Sequence, residues 1–126
     1  MYRVEVVNDG DSIFKARSRD YEFIIDIKGK GITPPDTLLA SLASCVGVYI
    51  RKYAEGANIL LDRFMVTAEA EFSQEPPVGF RAIRVCVDLK GAQLDETKRE
   101  SLLRFIKNCP VHNTLQGNPV IELRIA

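Results

Sequence analysis

The sequence predicts an α+β fold made of N-terminal strands, a buried central helix, a β-hairpin, a second helix and a C-terminal strand. Three observations predict it. Runs with strand-like period occupy residues 2–27 and 63–89, a capped and largely apolar run follows residue 33, and a charged amphipathic run begins at Asp95. These segments do not follow the regular βαβ alternation of a nucleotide-binding sheet, and no glycine-rich phosphate loop is present.

Residues 2–7 alternate in part, and Asn8-Asp9-Gly10-Asp11 is a strong turn signal. Residues 12–16 and 21–27 continue as strands around a charged turn, Arg17-Ser18-Arg19-Asp20. Lys28-Gly29-Lys30-Gly31 then ends the third strand with two glycines suited to tight bends. Thr33-Pro34-Pro35-Asp36 carries a helix-start signature, with Thr33 as N-cap, Pro34 at the first helical position and Asp36 returning the capping bond. From Leu38 the run LLASLASCVGVYI is apolar or small on nearly every face, charges begin at Arg51-Lys52, and Gly56 is the expected C-cap. Such a helix is expected to be central. Its small residues, Gly47 among them, would admit another backbone, and a second copy of the chain is one candidate.

Residues 63–74 alternate Phe64, Val66, Ala68, Ala70 and Phe72 against polar partners. After Glu75-Pro76-Pro77-Val78-Gly79, residues 80–89 alternate Ile83, Val85, Val87 and Leu89 against Arg84, Cys86 and Asp88, which predicts a hairpin. Asp95 caps a helix that stops near Asn108. Pro110 disfavours the α conformation at Cys109, so Cys109 is expected to cap a short helix running to about Gln116 and closed by Gly117. Residues 120–125 read as the last strand.

At 126 residues the chain has the size of one domain, residues 1–126. Hydrophobic residues make up 46% and charged residues 27%, a balance that supports a packed core and not a disordered chain. Lys plus Arg and Asp plus Glu both number 17, and no basic run is suited to a phosphate backbone, so nucleic acid is not an expected partner. Arg3 and Glu5 interrupt the apolar stretch that a signal peptide needs, and no run reaches the roughly 20 apolar residues of a membrane span, so no membrane association and a cytoplasmic location are expected. Three cysteines in that compartment do not predict structural disulfides. Together with the single His112 they also lack the spacing of a zinc site, and no metal or other cofactor is expected.

The chemistry is therefore sought in the thiols. Cys109 at a helix start has the best local case for a thiolate, and His112 one turn later would add to it when protonated; the competing reading makes Cys109 only a cap and His112 a surface residue. Cys45, mid-helix among apolar neighbours, reads locally as a small core residue unless a cation such as Arg17, Arg19 or Arg51 reaches it through the fold or from a second subunit. Cys86, on a strand far from any helix end, reads as structural.

The segment TPPDTLLASLASCVGVYI resembles the first cysteine segment of the OsmC/Ohr proteins, and NCPVHNTL resembles that family's second motif, C-P-V-x-x-T-L. The resemblance implies an intertwined homodimer with sites at its interface. It also implies that Cys45 attacks an organic hydroperoxide, that Cys109 resolves the resulting sulfenic acid as a Cys45–Cys109 disulfide, and that an external dithiol regenerates the pair. By the same resemblance Arg19 takes the activating role. The chain departs from the peroxidase branch in having Pro35 ten places before Cys45, with Asp36 one place later, and in Arg19-Asp20 being followed by Tyr21. Those departures support the alternative of a small-molecule or lipid binding dimer that keeps the fold without the chemistry.

Overall fold

Eight elements form along the chain in a computed structural model that describes residues 1–126, and they establish the α+β class. The backbone falls into two compact units, Met1–Ala40 and Ser41–Ala126.

The first unit holds an antiparallel sheet in the order β1-β2-β3, formed by β1 (Glu5–Asn8), β2 (Ile13–Ser18) and β3 (Tyr21–Asp26). The turn between β1 and β2 forms where Asn-Asp-Gly-Asp predicts it. Asn8 donates its side-chain amide to the carbonyls of Asp11 (2.8 Å) and Ile13 (3.0 Å), while the Asp11 carboxylate accepts from the Ile13 amide at 2.9 Å. The second turn is tighter than the charged run suggests. Arg17 and Ser18 stay in β2, and the reversal is left to Arg19 and Asp20, with Arg19 at a φ of 57°.

Asp26, 1% exposed, organises the glycine loop that follows: its carboxylate accepts the amides of Lys28 at 3.1 Å and Lys30 at 3.0 Å. Gly31 is required there by contact, since a Cβ at that position would lie 2.7 Å from the carbonyl oxygen of Ile24.

Helix α1 (Pro34–Gly56) starts as predicted. The Thr33 hydroxyl accepts the Asp36 amide at 3.3 Å, but Asp36 answers by accepting the same hydroxyl at 2.8 Å, not by bonding the cap's backbone N–H. At the other end Gly56 is not the cap: it is the last helical residue, and the chain reverses at Asn58, whose φ is 53°. Asparagine tolerates the left-handed region, so glycine is not needed there. The helix buries one stripe, Leu42, Val46, Ile50 and Ala54, spaced four apart. Its small-residue face is not closed within the chain: Ser41 and Ser44 are exposed and Val48 is half exposed.

The remaining elements of the second unit are strands β4 (Met65–Phe72) and β5 (Phe80–Asp88) and helices α2 (Glu96–Ile106) and α3 (Pro110–Gly117). The hairpin pairs Val66 with Val87, Ala68 with Val85 and Thr67 with Cys86. Gly47 of α1 faces this hairpin, where a Cβ placed on it would lie 3.6 Å from the Phe64 ring, an ordinary contact. Asp95 caps α2 by accepting the Lys98 amide at 2.8 Å. Tyr49 and Tyr53 of α1 pack on Phe105 of α2 with ring centroids 5.9 and 5.7 Å apart, which fixes the two helices together.

Residues 120–125 do not form the predicted strand. Their alternation records a side-chain pattern, but a strand also needs a ladder partner, and this chain supplies none to them. Gly117 likewise is the final residue of α3 and not its cap; Asn118, at a φ of 49°, takes the left-handed position.

Candidate functional site

Two of the three cysteines meet in the core of the second unit. Cys109 is fully buried within the cluster of Leu42, Val46, Ile50, Ala54, Leu61 and Leu102, and Cys45 packs against that cluster, half-buried. Each position follows from local sequence. Cys45 falls one residue before the buried stripe position Val46, so it sits on the flank of α1 that turns toward α2 and α3. Cys109 is held out of helical conformation by Pro110, with a ψ of 119°, and as N-cap of α3 its sulfur accepts the His112 amide at 3.4 Å. Its own amide donates to the Ile106 carbonyl at 3.1 Å, which ties the cap to the end of α2.

The electrostatics of Cys109 differ from the expectation for a helix start. Burial pushes its thiol above the ordinary value, a hydrogen bond with Cys45 and the charge on Cys45 push it further, and the amides of His112 and Val111 only partly oppose this. Desolvation of a fully buried sulfur outweighs the helix-start amides, which is why the local reading of Cys109 as the thiolate fails. The arrangement favours a Cys109 that keeps its proton.

The cations proposed from sequence are placed as follows. Arg51 is committed elsewhere: its guanidinium donates to the carbonyls of Leu61 and Asp62 and lies 5.0 Å over the Phe64 ring. Arg17 pairs with Glu22 across the first sheet at 2.9 Å. Arg19, in the β2–β3 turn of the other unit, takes part in none of the ion pairs. The His112 ring lies 3.2 Å from the Asn113 side-chain oxygen, so the contribution of this residue to Cys109 is its backbone N–H. Cys86 is exposed on β5, apart from the thiol pair.

One feature was not legible in the sequence. A groove of about 410 Å³ opens between α1, β5 and α2, walled by Leu42, Val46, Val85, Val87, Leu103 and Ile106. It shares Leu42 and Val46 with the packing around the thiols. The alternation of β5 and the amphipathic face of α2 each supply part of the wall, but only the tertiary fold makes them converge.

Residues 27–124 match the model of the OsmC family, described as OsmC-like protein. The chain belongs to the OsmC-like family. Among proteins similar to this OsmC-like chain is a hydroperoxide reductase of Mycoplasma genitalium, 26% identical over 132 residues that cover 99% of this chain and 94% of the relative. The fold is similar to the crystal structure of an OsmC-like protein from Mycoplasma pneumoniae, with a TM-score of 0.79 and 26% identity over 93% of this chain and 88% of that one. It is also similar to an organic hydroperoxide resistance protein OsmC of Legionella pneumophila, with a TM-score of 0.65 and 22% identity over 94% and 92% of the two chains.

The OsmC-like chain contains no cluster of three or more His, Cys, Asp or Glu side chains able to hold a metal ion, and no helix long and apolar enough to cross a membrane.

Proposed function

We propose that this protein is a thiol peroxidase that reduces organic hydroperoxides, with Cys45 as the attacking thiolate and Cys109 as the resolving thiol. The observation that carries the reading is the packing of Cys45 against the buried cluster that contains Cys109, where burial and the neighbouring sulfur favour the protonated Cys109 thiol. The relatives named hydroperoxide reductase support the substrate class.

The Cys45 thiolate attacks one peroxide oxygen, the O–O bond breaks, and the alkoxide takes a proton and leaves as an alcohol, which converts the sulfur to a sulfenic acid. The Cys109 sulfur then displaces the sulfenic hydroxyl, water leaves with the Cys109 proton, and a Cys45–Cys109 disulfide forms. An external dithiol returns both sulfurs to thiols. The apolar walls next to the pair favour an alkyl peroxide over hydrogen peroxide, because an alkyl tail gains free energy on burial.

Two copies form the working unit in this reading. The outward face of α1, with Ser41, Ser44 and Val48, offers the second copy a close seat. Arg19, free of ion pairs, is the proposed activating cation for a Cys45 thiolate, and the enzyme works in the cytoplasm, where thiols are kept reduced.

The test separates the two sulfurs. Cys45→Ser is expected to abolish turnover of cumene hydroperoxide, whereas Cys109→Ser completes a single oxidation per subunit and stops. Equal activity in both variants and the unmodified protein contradicts the assignment. A second reading, a binding dimer without peroxide chemistry, draws on the 410 Å³ apolar groove. It predicts an apolar ligand in the purified protein and a Cys45 that iodoacetamide alkylates only slowly near neutral pH.

A further inference from the structure

The groove between α1, β5 and α2 combines apolar walls with a basic lining. Leu42, Val46, Val87, Leu103 and Ile106 form its walls, its other side chains include Cys86, Arg99, Lys107 and His112, and no Asp or Glu lines it. Leu103 is 58% exposed, so apolar surface stands open to water beside fixed positive charge. Arg99 and Lys107 take part in none of the ion pairs. Neither Cys45 nor Cys109 lines the groove, so what it holds need not be the molecule that meets the thiols.

The two ends of the groove differ in charge. Arg99 lies within α2 and Lys107 at its C-cap, eight residues on, a rise of about 12 Å along the helix. Asp95 and Glu96 precede Arg99 by one turn and offset its charge. After Glu100 the chain carries no acidic residue until Glu122, and Arg104, Lys107 and His112 all fall in that interval. The Lys107 end is therefore the positive end. His112 adds a second polar group there, because its Nδ1 lies 3.2 Å from the Asn113 side-chain oxygen and its Nε2 is left for a further partner.

From these observations we propose that the groove binds the anion of a single-chain carboxylic acid, with the acyl tail along Val87, Leu103 and Ile106 and the carboxylate at Lys107 and His112. The tail gains free energy with each methylene it buries, and the carboxylate supplies the charge that Lys107 lacks within the chain. A neutral alcohol leaves Lys107 without that partner, and a cationic amphiphile is repelled by it. A volume of about 410 Å³ is at the lower end of the range for small-molecule sites, about 300–1,000 Å³, and suits one chain and not the two of a diacyl lipid. Its concave shape likewise suits a free acid and not the headgroups of a membrane surface. The inference goes beyond the peroxidase reading, requires no reaction at Cys45, and gives the binding reading a ligand of stated charge.

The test titrates the reduced protein calorimetrically with decanoate, 1-decanol and decyltrimethylammonium. Decanoate is expected to bind most tightly and the ammonium least. Lys107→Gln is expected to weaken decanoate by up to about 5-fold and to leave 1-decanol unchanged, while Arg99→Gln weakens decanoate less. Cys86 reports where the ligand lies, since it lines the same groove. Near its measured Kd, decanoate is expected to slow alkylation of Cys86 by N-ethylmaleimide, followed by peptide mass spectrometry. Equal affinity for decanoate and 1-decanol, or a Lys107→Gln variant that binds decanoate unchanged, overturns the charged end. Decanoate that binds without slowing Cys86 lies elsewhere and overturns the site, as does a failure of decanoate to bind. The peroxidase reading is tested separately, by the Cys45 and Cys109 variants, and stands or falls without these outcomes.

Discussion

The thiol of Cys109 illustrates how burial decides a local contest. The helix-start amides of His112 and Val111 favour a thiolate, but full burial and the neighbouring Cys45 favour the protonated form. A group whose folded pKa lies above its unfolded value gives stability that is fully present below the unfolded pKa and is lost as pH rises through the folded one. With an ordinary thiol near about 8.5, the urea midpoint of the reduced protein is therefore expected to fall as pH rises above that value, and to fall less in Cys109→Ser. Equal pH dependence in the two proteins contradicts the burial argument. A backbone contact sets a second residue-scale expectation. Gly31→Ala would push a Cβ to 2.7 Å from the Ile24 carbonyl oxygen, so backbone must move, and a loss of about 1–3 kcal/mol in urea unfolding is expected. Asp26 works in the opposite sense to Cys109. Burial acts to raise its pKa, but the amides of Lys28 and Lys30, the Ser12 hydroxyl and the Lys30 charge more than offset this and hold it below the usual range. Its contribution is present above the unfolded carboxylate value and is lost as acid titrates the folded one.

At the scale of elements, the helix starts were legible and the helix ends were not. Thr33-Pro34-Pro35-Asp36 and Asp95 act through side-chain bonds to amides a few residues away, so their signal is local. Gly56 and Gly117 looked like caps, yet each remains helical while Asn58 and Asn118 take the left-handed turn, a choice the glycine-first rule does not anticipate. The strands were legible wherever the chain also provides a partner. Residues 120–125 have the pattern without the partner, and the groove beside β5 required three separate elements to converge. Gly47 was similarly ambiguous until its neighbour was known. Since a Cβ there would meet Phe64 at an ordinary 3.6 Å inside a helix, Gly47→Ala is expected to stabilise by about 0.5–1 kcal/mol, measured as a rise in the urea midpoint. A destabilised Gly47→Ala would show that this part of α1 is packed more tightly than its own hairpin requires.

For the whole molecule, the family match and the α+β order account for the architecture, while the proposed chemistry rests on bringing residue 45 of a long helix to residue 109 at a later helix start. Sequence spacing could not have placed those sulfurs together; the packing of α1 against α2 and α3 does so. The exposed α1 face and the apolar groove are both left uncovered by the chain itself. The most direct test of the central claim is to titrate the thiols of the reduced protein after one equivalent of cumene hydroperoxide and to map any disulfide by peptide mass spectrometry. The account predicts rapid loss of two of the three thiols and a Cys45–Cys109 link, with Cys86 still free. Survival of all three thiols in excess peroxide, or a disulfide that uses Cys86 in place of Cys109, would contradict it.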